Sequence, residues 1–250
     1  MSHHIVAAEQ VCFTYANSNR GIQDISFRIT HGDSVAVVGA NGAGKSTLLQ
    51  HLNGFLEPES GTIRIGDYPI TRNNLFAVRR SVGMVFQDPD DQLFMPTVFA
   101  DVAFGPLNLG MTEVEAEKRA MIALERVGVA HLRDRPPYRL SGGEKRSVAI
   151  ATVLAMDPDI LVMDEPSSNL DPMARQRLIA LLRSFEHTKI IATHDLDLAM
   201  DLCGRTIVLH DGRLTADGPT REIFVNDALL AGSGLTKPLR MQGCPVCGRQ

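Results

Sequence analysis

The sequence predicts an α/β fold built on a mixed sheet. Three observations predict it. A glycine-rich loop, Gly39-Ala40-Asn41-Gly42-Ala43-Gly44-Lys45-Ser46-Thr47, stands between the apolar run Val35–Val38 and the helical run Thr47–Leu52. Further apolar runs at Val82–Phe86, Ile160–Met163 and Lys189–Thr193 are short and nearly unbroken, as strands buried on both faces are. The first thirty residues carry two strand patterns with no helix between them, which suits an antiparallel pair.

In chain order, Ile5–Tyr15 is the first strand and Ile22–Ile29 the second, with Ile25, Phe27 and Ile29 alternating against polar neighbours. His31-Gly32-Asp33 turns the chain into the strand before the loop. Asn53-Gly54 caps the helix after it. Gly61–Ile65 is a short strand. Between Asp88 and Leu140 no comparable strand occurs. This stretch holds an acidic turn, the apolar residues Leu93-Phe94-Met95-Pro96, and a helix over about 112–127 whose capping box is Thr112 with Glu115. It reads as a helical insertion, about 88–156. Ser141 opens a helix that ends near Asp157, and Asp171-Pro172 opens another. Residues 205–210 and 213–216 form a hairpin around Asp211-Gly212. Beyond about 226 the periodicity fades, which predicts a loosely held tail to 250.

Composition narrows the function. The 250 residues are 44% hydrophobic and 22% charged, enough for one full α/β core. A formal net charge of −4, with Arg and Lys scattered, argues against nucleic acid as a partner. No run approaches the length of a membrane span. Met1-Ser2-His3-His4 leads into a strand without a secretory pattern. Four cysteines, Cys12, Cys203, Cys244 and Cys247, fit a reducing compartment. Cys244-Pro245-Val246-Cys247 is half a zinc site at most.

The loop fits G-x-x-x-x-G-K-[ST], in the strand–loop–helix context that the pattern requires. Gly39, Gly42 and Gly44 let backbone N–H groups turn toward a nucleotide's phosphates, and the helix N-terminus adds positive potential. Lys45 reaches the β- and γ-phosphates, and the Ser46 hydroxyl holds Mg²⁺. The other apolar strands end on Gln87, on Asp164-Glu165 and on His194. In a parallel sheet these ends share one edge, where ligands bind. Asp164 suits a Mg²⁺ contact, Gln87 the metal or its water, Glu165 the activation of a water, and His194 the γ-phosphate. Leu140-Ser141-Gly142-Gly143-Glu144 can be a capping box. Two glycines in a first turn cost about 1 kcal/mol each, which is better explained if bare backbone must approach a phosphate. No guanine-recognition motif accompanies the loop, since Thr236-Lys237 runs into Pro238-Leu239.

These motifs resemble those of the ATP-binding-cassette (ABC) ATPases over about residues 5–225. Residues 39–47 match the Walker A motif, Gln87 the Q-loop, and LSGGEKR at 140–146 the signature. Ile160–Pro166 matches Walker B, Ser168–Asp171 the D-loop, and His194 the switch histidine. The resemblance implies a P-loop NTPase domain over 1–225 with an N-terminal antiparallel β subdomain and a helical insertion. It implies ATP and Mg²⁺ as cofactors, Tyr15 stacked on adenine, and Asn41 and Thr47 in the nucleotide loop. It also implies a dimer, a homodimer by preference, in which Ser141, Gly142 and Gly143 complete the opposing subunit's γ-phosphate site. Gln87–Phe94 with Asp101–Pro106 looks like the energy-coupling-factor importers, and LSGGEKRSVAIATVLAM like their cobalt/nickel branch. The implied partners are a transmembrane coupling protein and a substrate-binding membrane component, with the chain peripheral at the cytoplasmic face. Leu93, Phe94, Met95, Val98, Phe99 and Phe104 form the core of the insertion or a groove for a partner helix, and both readings stay open.

Overall fold

The computed structural model describes residues 6–16 and 20–242. The strands are β1 (Val6–Thr14), β2 (Arg20–Ile29), β3 (Ser34–Val38), β4 (Ser60–Ile65), β5 (Tyr68–Pro69), β6 (Val82–Val85), β7 (Ile160–Asp164), β8 (Thr188–Ala192), β9 (Arg205–His210) and β10 (Arg213–Pro219). The helices are α1 (Lys45–Leu52), α2 (Leu75–Ser81), α3 (Val98–Asn108), α4 (Glu113–Arg126), α5 (Gly142–Leu154), α6 (Pro172–Arg183), α7 (Leu196–Leu202), α8 (Thr220–Val225) and α9 (Asp227–Gly232).

The strands form two sheets. The larger runs β10-β9-β3-β8-β7-β6 and is parallel except at β10, which returns antiparallel from β9. The smaller runs β2-β1-β4-β5 and is antiparallel throughout. The early strands therefore build a sheet of their own, and the mixed character of the main sheet comes from its last hairpin.

Strand periodicity divides the core. Val35 and Val37 of β3, with Ile160 and Val162 of β7, face the core shared with the small sheet and α1. Ala36, Val38, Leu161 and Met163 face the other core, shared with α3–α7. Burial on both faces explains why these strands read as unbroken apolar runs.

Helices α3, α4 and α5 pack against one another between β6 and β7 in the chain. Both bonds of the α4 capping box form, and Gly128 follows at φ 79°. Helix α3 was not legible, because Gly105-Pro106 near its end breaks the pattern of a helix interior. The apolar stretch around it divides by residue. Leu93 and Val98 are in the core, whereas Phe94 is 64% exposed and Phe104 40% exposed, and their rings meet edge to face at 5.0 Å.

The segment after 226 departs from expectation. Helix α9 buries Leu230, and a 3-10 turn at Leu239–Met241 lies against α7. Arg240 donates to Asp197 Oδ1 at 2.8 Å and to Asp201 Oδ2 at 2.9 Å. A charged clasp and isolated apolar anchors hold this segment, so no periodicity announces it. Residues 243–250, with Cys244 and Cys247, lie outside the described residues.

Candidate nucleotide site

Strand β3 ends at Val38 and the chain turns at once. Gly39 has no room for a side chain, since a Cβ there would sit 2.4 Å from the Leu209 carbonyl oxygen. Gly44 has φ 99°, and its Cβ would meet the Gly21 carbonyl at 2.6 Å. These two glycines fit the loop between β9 and the β2 backbone. Helix α1 then begins with no side-chain cap, leaving its first N–H groups to a ligand. The Lys45 ammonium arches back over the loop to the carbonyls of Gly39 at 2.9 Å and Ala40 at 3.2 Å. Tyr15 shares a 3.0 Å hydrogen bond with Thr47 Oγ1, which sets its ring beside the loop.

An open cleft of about 720 Å³ gathers the expected groups. Tyr15, Asn41, Gly42, Gly44, Lys45, Ser46 and Thr47 line one side, and Gln87, Asp164 and Glu165 join them from the ends of β6 and β7. Gly39 opens the loop but does not line the cleft. His194 is outside the cleft wall but reaches it through Glu165, with Nδ1 2.8 Å from Oε2.

Glu165 leaves β7 in the left-handed region, at φ 48°. Its N–H still donates to the Ala192 carbonyl at 2.9 Å, so the strand pairing continues while the side chain turns. The buried carboxylate also accepts from the His194 N–H at 3.0 Å and from the Thr193 hydroxyl at 3.2 Å. The chain just after β8 thus holds the Glu165 carboxylate through several donors.

Asp164 is 3% exposed, and its Oδ1 has no hydrogen-bond partner. Burial pushes its carboxyl above the ordinary range, opposed by a hydrogen bond from Ser46 and by the Lys45 and Arg146 charges. A cation would reverse that balance. The orphaned carboxylate oxygen, the Ser46 hydroxyl and the Gln87 amide make an all-oxygen donor set that fits Mg²⁺.

Ser141, Gly142 and Gly143 do not line this cleft. Ser141 caps α5, with the Glu144 carboxylate accepting from the Ser141 N–H at 2.7 Å. Ser141 and Gly143 open instead onto a separate cavity of about 240 Å³ beside Leu170 and Asp171.

The family described as ABC transporter matches residues 22–168, more than half of the chain. The chain belongs to the ABC transporter ATPases. A putative ABC transporter ATP-binding protein of Geobacter sulfurreducens is 67% identical over 249 residues, covering 100% of both chains. The energy-coupling factor transporter ATP-binding protein EcfA1 of Methanospirillum hungatei is 45% identical over 213 residues, covering 84% of this ATPase and 77% of the relative. Among solved structures, cbiO1 of Clostridium perfringens, part of the ABC transporter complex cbiONQ, is 39% identical with a TM-score of 0.78. That match covers 92% of this chain and 94% of the other. The ABC transporter cassette MJ0796, whose structure is dimeric, is 27% identical with a TM-score of 0.80, covering 86% and 99%. This chain is thus the ATP-binding, ATP-hydrolysing subunit of an ABC transporter of the energy-coupling-factor type. Among the described residues, no helix is long and apolar enough to cross a membrane.

Sequence reasoning missed several groups around the site. Thr193 supports Glu165, and Arg175 bonds Asp195 beside His194 at 2.9 Å. Arg146 grips the Gln87 loop from α5. Only Arg146 left a signal: a cation near a helix N-terminus sits at the unfavourable end of the dipole.

Proposed function

We propose that this ATPase powers uptake of a transition metal ion, cobalt first and nickel next, across the cytoplasmic membrane. The signature-helix sequence and the likeness to cbiO1 support that substrate class. The observation that carries the mechanism is the convergence of Gln87, Asp164 and Glu165 on the Lys45 cleft.

Two copies of the chain close head to tail on two ATP molecules. Tyr15 stacks on adenine. Gly42, Gly44 and Thr47 N–H groups cradle the phosphates, Asn41 borders them, and the Lys45 ammonium exchanges its loop carbonyls for β- and γ-phosphate oxygens. Ser46, Gln87 and Asp164 would hold Mg²⁺, which supplies charge neutralisation on those oxygens. Glu165 orients and deprotonates the attacking water once His194 turns from it to the γ-phosphate. Ser141, Gly142 and Gly143 of the second copy face the γ-phosphate from outside the cleft, in keeping with their position away from it here. A transmembrane coupling protein and a substrate-binding membrane component complete the machine, and hold the ATPase peripherally on the cytoplasmic face.

The test is uptake into proteoliposomes carrying the co-purified complex. ATP-dependent entry of Co²⁺ or Ni²⁺ is expected. Entry of a vitamin in place of either metal would assign the complex to the vitamin-type importers instead.

A further inference from the structure

Arg146 is 3% exposed, yet its guanidinium spends its hydrogen bonds on carbonyls rather than on a carboxylate. Nη1 donates to the Phe86 carbonyl at 2.8 Å and Nη2 to the Gln87 carbonyl. Burying a cation is costly, and its place near the start of α5 opposes the helix dipole. An apolar side chain there would avoid both costs but leave the Phe86 and Gln87 carbonyls without this donor. The placement therefore calls for a reason beyond packing.

Its neighbours extend the grip. Gln92 accepts from the Phe86 N–H at 3.2 Å and donates to the Ala149 carbonyl at 2.8 Å and the Thr152 hydroxyl at 2.7 Å. Lys145 bonds Asp90 at 2.6 Å. The segment from Phe86 to Gln92 is thereby fastened at both ends to α5, between Lys145 and Thr152. Gln87 lines the triphosphate cleft, and Ser141 caps the same helix. A helix is stiff along its axis, so a shift at Gln87 cannot be absorbed between the two.

We propose that Arg146 is a positioning residue that makes the Gln87 loop and the Ser141 turn move as one body, so that filling a subunit's own cleft sets where its serine is presented to the other subunit. This rests on the two-subunit reading above. Arg146 touches no nucleotide and acts through the loop and helix it joins.

The experiment uses the full chain as wild type, Arg146→Gln, Arg146→Lys, Glu165→Gln, and the Glu165→Gln/Arg146→Gln pair. Binding of trinitrophenyl-ATP, the rate and ATP dependence of hydrolysis, and ATP-driven pairing on size exclusion are measured. For Arg146→Gln, dye binding within about twofold of wild type, kcat lower by about tenfold, and a Hill coefficient near one are expected. The double variant should need about tenfold more ATP to pair than Glu165→Gln alone. Arg146→Lys restores the charge but reaches one carbonyl only, so it should recover a minor part of kcat. Wild-type kcat and pairing in Arg146→Gln would overturn the proposal, as would full rescue by Lys. Loss of dye binding together with kcat would reduce Arg146 to a structural residue and overturn it too. Failure of Glu165→Gln itself to pair with ATP would instead sink the two-subunit reading, and this proposal with it.

Discussion

At the scale of single residues, the site depends on groups held away from water. The Glu165 carboxylate, itself buried, is engaged by His194 and Thr193. Glu165→Gln keeps the acceptor for those donors and removes the proposed base. Hydrolysis should drop by roughly a hundredfold or more while ATP still binds, as a single-turnover assay would read. His51, fully buried in α1, shares a 2.7 Å bond with the Thr47 carbonyl, and its Nε2 has no partner. Burial lowers its pKa below the usual 6.5, against the smaller opposite effect of the Thr47 bond. The neutral ring thus contributes stability that is present above about pH 6.5 and is lost as pH falls through its folded value. The fall in Tm from about pH 7 to about pH 5 should therefore be shallower in His51→Gln than in wild type. The placing of Lys45, Ser46 and Gly44 on one cleft was legible because a phosphate loop fixes residue type and spacing together. Thr193 and Arg146 were not, because their partners are backbone atoms or distant side chains that spacing does not encode.

At the scale of elements, strands were easier to read than helices. A strand buried on both faces advertises itself in four or five apolar residues, as β3 and β7 do. Helices α7 and α8 are too short for a helical period to show. Helix α3 carries a buried acid that fixes the loop before it. Asp101 Oδ1 accepts from the Phe94 and Met95 N–H groups, both at 3.0 Å, while its Oδ2 has no partner. Burial raises its pKa above 3.8, outweighing those two bonds. For a raised acid the stabilising contribution is complete below the unfolded value and is lost as pH rises through the folded one. Asp101→Asn keeps an acceptor without the charge. Its Tm should equal or exceed wild type near pH 7, with the gain shrinking toward about pH 4. Asp101→Ala orphans two N–H groups and should lose about 2–4 kcal/mol of stability, measurable by urea denaturation.

At the scale of the whole molecule, two surfaces matter besides the cleft. One is the exposed Phe94–Phe104 pair, tied through Asp101 to α3 and through the Gln92 bonds to α5. As a docking point for a membrane partner, it should be dispensable for the isolated subunit. Phe94→Asp with Phe104→Asp should hydrolyse ATP within about twofold of wild type yet lose co-purification with the membrane component. Retained co-purification would move the docking point elsewhere. The other surface is the α5 N-terminus, whose glycines suggested a phosphate contact and which lies away from the subunit's own cleft. The sequence pattern alone carried that hint, but only the folded chain separates Ser141 from the cleft.

The Arg240 clasp has a practical consequence. By holding the chain against α7, it brings Gln242 to the rim of a cavity shared with Asn169 and His194. In the proposed two-subunit arrangement, a bulky group placed at Gln242 would stand at the face the second copy approaches. Attached at Gln242 itself, such a group would act as a wedge, and activity lost on attaching it would report crowding rather than damaged chemistry.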